Sequence, residues 1–171
     1  MYNELFKFRE ERGLQNSPGN LSANIIEETQ ELLVAIGNND EYEIIDALCD
    51  HVVFVINGLE AMGHDAKTNV TITEWRDFTP TMAASLILVR MGAYVRDKSE
   101  LYSLSSIAGI CLATIEKLGY HSELCMLETC KEINSREGAY NPDVGKWQKF
   151  KTPEAMSKWY KADYSACKKE V

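Results

Sequence analysis

A chain of 171 residues, 45% of them apolar, suits a single domain with a real core. A net charge of −8 and a pI near 4.9 argue against broad binding to nucleic acid or anionic membrane, and no apolar run approaches the length that spans a bilayer. The start MYNELFKFREER lacks the pattern of a signal peptide. Five scattered cysteines without a CxxC pair or a histidine at ligand spacing fit reduced thiols in a cytoplasmic protein rather than disulfides or zinc.

Tyr2 to Arg12 reads as a short amphipathic helix with Leu5, Phe6 and Phe8 on its apolar side, broken at Gly13 and followed by the loop NSPGN. Phe6 and Phe8 serve either as core or as a surface for a base. Asn20 or Ser22 is the expected cap of the next helix. Ile25–Asn57 then reads IIEETQELLVAI, GNND, EYEIIDALCDHVVFVIN, which is an antiparallel helical hairpin with its turn centred between Asn38 and Asn39. Helical periodicity puts Glu27, Glu28 and Glu31 on one side of its first helix, and Ile25, Leu32, Leu33 and Ile36 on the other. The second helix aligns Glu43, Asp46 and Asp50 but is apolar nearly all round, as expected of a helix covered by protein on most sides. Folding the hairpin sets Glu31 opposite Asp46 and Glu27 opposite Asp50, with His51 pointing away.

Carboxylates brought together in partly dry surroundings must be protonated, paired with bases or neutralised by a cation. With oxygen ligands throughout, Mg²⁺ is the fitting ion where phosphates complete the coordination, with Mn²⁺ as a substitute. The plain alternative for Glu27 and Glu28 is a solvated helix start favoured by the helix dipole.

After Gly63 a polar connection contains one short strand-like run, VTIT, too short to found a sheet. A fourth helix begins at Thr79, with Pro80 in its first turn; Arg90 and Arg96 interrupt its pattern as phosphate ligands or as surface and ion-pair residues. A fifth runs from Ser99 to Gly119, and its small residues Ser103, Ser105, Ser106, Ala108 and Gly109 permit close packing within the subunit or across a dimer. His121–Arg136 makes a sixth. The remainder is basic and aromatic, with Trp147, Trp159 and Tyr164 among its lysines. Lysines hold phosphate as point charges and aromatic rings stack on bases; equally, the aromatics anchor a loop while the lysines stay solvated. The expected architecture is an all-α helical bundle over residues 1–137, built on the hairpin, with an irregular tail over 138–171 packed against it.

E-E-x-x-E at Glu27, Glu28 and Glu31, followed by an acidic helix ending in D-x-V-V-F, resembles the all-α nucleoside triphosphate pyrophosphohydrolases. These are the MazG-like proteins, with relatives among dimeric dUTPases and dCTP pyrophosphatases. The strong match covers about forty residues. The family's second motif is usually E-x-x-D; here Asp50 matches the Asp, but Ala47 stands at the Glu position and Asp46 is the substitute. The resemblance implies Mg²⁺ held by Glu28, Glu31 and Asp50 with Asp46 helping, and a water activated by the metal or by a spare carboxylate such as Glu27. It implies attack on the α-phosphorus of a nucleoside triphosphate, with Lys131, Asn134, Arg136, Lys146, Lys149, Lys151 and Lys161 closing over the phosphates. It also implies a homodimer or homotetramer. Two rivals accompany it: a protein that sequesters a nucleotide without turnover, which Ala47 favours, and a helical interaction domain whose acids are merely solvated. No P-loop, Rossmann glycine pattern or G-x-S-x-G elbow appears.

Overall fold

The computed structural model describes residues 1–13, 18–70, 78–99, 101–143 and 146–170. Its helices are α1 (Tyr2–Glu11), α2 (Pro18–Asn38), α3 (Glu41–Ala61), α4 (Ala66–Asn69), α5 (Pro80–Arg96), α6 (Leu101–Lys117) and α7 (Ser122–Ser135). The tail adds strands β1 (Gly138–Asn141) and β2 (Lys146–Lys149), helix α8 (Pro153–Met156) and a 3-10 turn over Tyr164–Cys167. The fold is an all-α bundle, with one small antiparallel hairpin that pairs Gly138 with Lys149 and Tyr140 with Trp147. No described helix is long and apolar enough to cross a membrane.

The helical hairpin forms as its sequence demands, with a tighter turn than expected. Asn39 takes φ 52°, the left-handed conformation that asparagine tolerates, so α2 runs through Asn38 and closes with Asn39 N donating to Ile36 O and Asp40 N to Ala35 O (3.1 and 3.0 Å). Asp40 also caps α3, its carboxylate accepting from Glu43 N at 3.2 Å. One residue thus ends one helix and starts the next. At the other end α2 begins at Pro18, so Asn20 and Ser22 lie inside the helix rather than capping it.

Helix α3 is the axis of the molecule. It packs along α2 and α6 and also touches α1, α4 and α7, so buried side chains follow one another from Ile44 to Leu59 with few gaps. Helix α5 begins with Thr79 Oγ1 accepting from Met82 N (3.2 Å) and Pro80 in the first turn, then packs on α2 and α6. Of the small residues of α6, Ser103, Ala108 and Gly109 are buried within the subunit and Ser105 and Ser106 are half-buried; the helix packs on α3 and α5. All five cysteines are free and buried. Beyond Val70, the VTIT run lies outside the described residues.

The tail binds the bundle through main-chain and side-chain bonds. His121 N donates to Cys167 O (2.9 Å), Lys169 N to Gly119 O (2.8 Å), and the Tyr164 hydroxyl reaches Asp46 on α3 (2.6 Å).

Candidate functional site: a buried acid pair beside an aromatic pocket

The acidic face of α2 divides. Its inward line is Ile25, Glu28, Thr29, Leu32 and Ala35, all buried, while Glu27 and Glu31 face outward. Leu33, expected inside, is exposed with Ile26 and Val34. A step of 100° per residue puts positions 25, 28, 29, 32 and 35 on one stripe and rotates 33 off it. Glu28 therefore enters the α2–α3 seam, only 8% exposed, and its Oε2 is buried without a hydrogen-bond donor.

Its surroundings are acidic. Burial, and then the charges of Asp50, Glu31, Glu27 and Asp46, push the Glu28 carboxyl up to about 8. Asp50 is driven up to about 7, first by burial and then by Asp46, with Glu132 and Glu31 adding to the rise and Arg136 opposing it. Burial also raises Asp46, while the hydrogen bond from Tyr164 works against the shift. His51 takes no part in the pair. Its Nδ1 donates to Ala47 O (2.6 Å), its Nε2 lies 2.9 Å from Thr29 Oγ1, which itself donates to Ile25 O (2.7 Å), and burial holds the ring neutral with its value lowered to about 4.

Asp50 has a second neighbourhood. It lines a cavity of ≈ 310 Å³ whose other walls are Phe8 of α1, Asn24 of α2, Val53, Phe54 and Asn57 of α3, Ile133 of α7, Arg136 at the end of α7, and Trp147 and Lys149 of the tail. Arg12 braces this wall. Its guanidinium lies over the rings of Phe8 (4.2 Å) and Trp147 (5.0 Å), and its Nη2 donates to the carbonyl of Arg136 (3.3 Å). Glu27 and Glu31 face a separate open cleft of ≈ 480 Å³, shared with Asp40 and Glu43. The acids thus form a line from that cleft, through Glu28, to the pocket.

The expected phosphate-binding residues do not all gather here. Arg136 reaches the pocket, where it also pairs with Glu132 of α7. Lys161 pairs with Glu43 (2.9 Å) at the acidic cleft. Lys131 pairs with Glu128 and, with Asn134, lines a different cleft of ≈ 580 Å³ beside Glu4, Leu124 and Cys167. Lys146 opens β2, and its side chain lies outside the described residues. Arg90 stacks on Tyr102 (5.1 Å) and lies on α5, which contributes no residue to the pocket.

Glu132, Asn24 and Asn57 were not singled out by sequence. Two carried a signal: Asn24 precedes Glu28 by four residues and Asn57 follows Asp50 by seven, so each shares a helical face with an acid of the seam. Glu132 had none, since it stands on α7 and meets the seam only through the fold.

Carboxylates raised in this way are a suitable donor set for a hard divalent cation, because the orphaned Glu28 oxygen and the mutual repulsion are both relieved by positive charge. Among the described residues, however, no three such side chains are already gathered around one point. No protein-family model, no curated protein and no solved structure matches the chain.

Proposed function

We propose that the protein is a metal-dependent nucleoside triphosphate pyrophosphohydrolase, working at the line of carboxylates between α2 and α3. The observation that carries this reading is the position of Asp50, which belongs both to the destabilised acid group and to a pocket walled by Trp147, Arg136 and Lys149. An anionic substrate has no reason to approach bare carboxylates; it has one if a cation lies between them and cationic side chains stand beside it.

A divalent ion, Mg²⁺ with Mn²⁺ as substitute, supplies when bound the charge that carboxylates and phosphates share, and polarises phosphorus. Glu28, Glu31 and Asp50 are the residues to hold it, with Asp46 assisting while Tyr164 orients it. Arg136 and Lys149 hold the phosphate chain from the opposite wall. Glu27, exposed beside Glu31, takes the proton of the attacking water. The resemblance directs the attack to the α-phosphorus, releasing pyrophosphate and a nucleoside monophosphate. It also supports a homodimer or homotetramer, for which exposed Ile26, Leu33, Leu88 and Val89 supply apolar surface.

The test is pyrophosphate release from a panel of standard and modified NTPs and dNTPs with Mg²⁺, Mn²⁺ or EDTA. Release that needs metal and disappears in a Glu31→Ala/Asp50→Ala variant is expected. Absence of turnover, together with metal-dependent nucleotide binding, selects the second reading, a protein that sequesters its nucleotide. That reading is favoured by Ala47 at the place of the usual Glu and by Asp46 being engaged by Tyr164.

A further inference from the structure

Asn57 is 3% exposed, lines the pocket, and its Oδ1 is buried without a donor. An unpartnered buried amide oxygen costs roughly 1–3 kcal/mol, so a retained one calls for a partner from outside the chain. Its neighbours say what that partner is. Phe8, Phe54 and Trp147 offer ring surface, Asn24 a second amide, and the volume of ≈ 310 Å³ sits at the small end of ligand pockets. That describes a slot for one flat heterocycle with a polar edge.

We infer that Asn57 is the base-reading residue of this protein, its amide oxygen accepting an N–H from the edge of a single nucleobase held between Phe8, Phe54 and Trp147. The inference rests on the nucleotide reading above and deepens it. The base enters edge-first towards α3, and its own phosphates extend past Asp50 to the acids and cations. Selectivity then comes from a hydrogen bond that a wrong or methylated edge leaves unmade, which discriminates far more strongly than a difference in apolar bulk. Asn24 stands one helix away on the α2 wall and gives that edge a second polar contact.

The experiment is calorimetric binding by the full-length protein, with Mg²⁺, of dUTP, dTTP, dCTP, dATP and dGTP. Inorganic tripolyphosphate is measured beside them as a probe of the metal and phosphate positions alone. In wild type, the best-bound nucleotide should bind roughly ten-fold or more better than its analogue methylated on the donating nitrogen: N3-methyl for dUTP or dTTP, N1-methyl for dGTP, N4,N4-dimethyl for dCTP, N6,N6-dimethyl for dATP. Asn57→Leu should level the five affinities while leaving tripolyphosphate binding unchanged, and should fold well because it removes an orphaned polar group. If methylation or Asn57→Leu leaves nucleotide selectivity intact while tripolyphosphate binds, the inference fails, Asn57 is a solvent-satisfied core residue, and the pyrophosphohydrolase reading stands. If neither nucleotides nor tripolyphosphate bind with metal, both fall together.

Discussion

The hydroxyl of Tyr164 donates to Asp46 Oδ1 at 2.6 Å and lies 3.0 Å from Thr129 Oγ1, so one side chain near the end of the chain bonds to α3 and α7 at once. The ring is 4% exposed. Tyr164→Phe keeps its packing and removes both bonds, leaving Asp46 without this donor. A loss of roughly 1.5–3 kcal/mol is expected, the range for a hydrogen bond to a charged group. Urea unfolding measures it, and a change below about 0.5 kcal/mol would mean that the tail is not held through this contact.

The acid pair gives the metal-free protein an unusual pH profile. Glu28 rises from 4.5 to about 8 and Asp50 from 3.8 to about 7, both chiefly through burial, so the folded state binds their protons more tightly than the unfolded state. Their contribution is therefore fully present in acid and lost as pH climbs through the folded values. His51 has the reverse sense, because its lowered value means stability lost as pH falls from 6.5 through about 4. Between pH 6.5 and 8 the carboxyls govern among these three groups. The melting temperature should fall across that window by the equivalent of about 1–3 kcal/mol, and millimolar Mg²⁺ should flatten the slope. A flat profile without metal would show that the carboxyls are well solvated.

Glu28→Gln separates stability from function. The neutral amide removes a buried carboxylate that has no donor on Oε2 and feels four like charges, and so should stabilise the metal-free protein by about 1 kcal/mol or more. On the proposed reading the same change deletes a cation ligand, so pyrophosphate release should fall by two orders of magnitude or more, roughly the loss expected when charge stabilisation at phosphorus is removed. A variant both less stable and fully active would remove Glu28 from the site.

Gly58 leaves room on α3 for the side chain of Leu21 on α2. A Cβ there would stand 2.5 Å from Leu21 Cδ2, and Leu21 is itself buried at 1% exposure. Gly58→Ala forces Leu21 aside and should cost about 1–3 kcal/mol despite alanine's better helix propensity. Thermal denaturation distinguishes this from the gain of up to about 1 kcal/mol expected of an open helical site.

The hairpin, the order of its acids and the capped start of α5 were legible because each depends on residues within one or two turns of one another. Leu33 shows where local reading ends. It sits in the unbroken aliphatic run from Leu32 to Ile36, and the stripe that faces α3 was settled by the crossing of the two helices rather than by Leu33's own character. The division of Glu28 from Glu27 and Glu31 has the same origin. The tail was less legible still. Strands of four residues carry almost no periodicity, and Gly138–Asn141 pairs with Lys146–Lys149 beneath an Arg12 that sequence places at the far end of the chain.

The bracing of Trp147 by Arg12 bears on how the molecule is made. Synthesis delivers Phe8 and Arg12 first, Asp50 next, Trp147 only 97 residues after Asp50, and Tyr164 later again. A ribosome-bound chain can thus complete its helical hairpin long before the pocket has a far wall. On the proposed reading, a nucleotide meets only part of its pocket during that interval and is a poor folding ligand for the nascent chain. The acid seam is carried through that interval by protons or free cations, and on the proposed reading ligand rescue of a destabilised variant waits for Trp147 and Lys149.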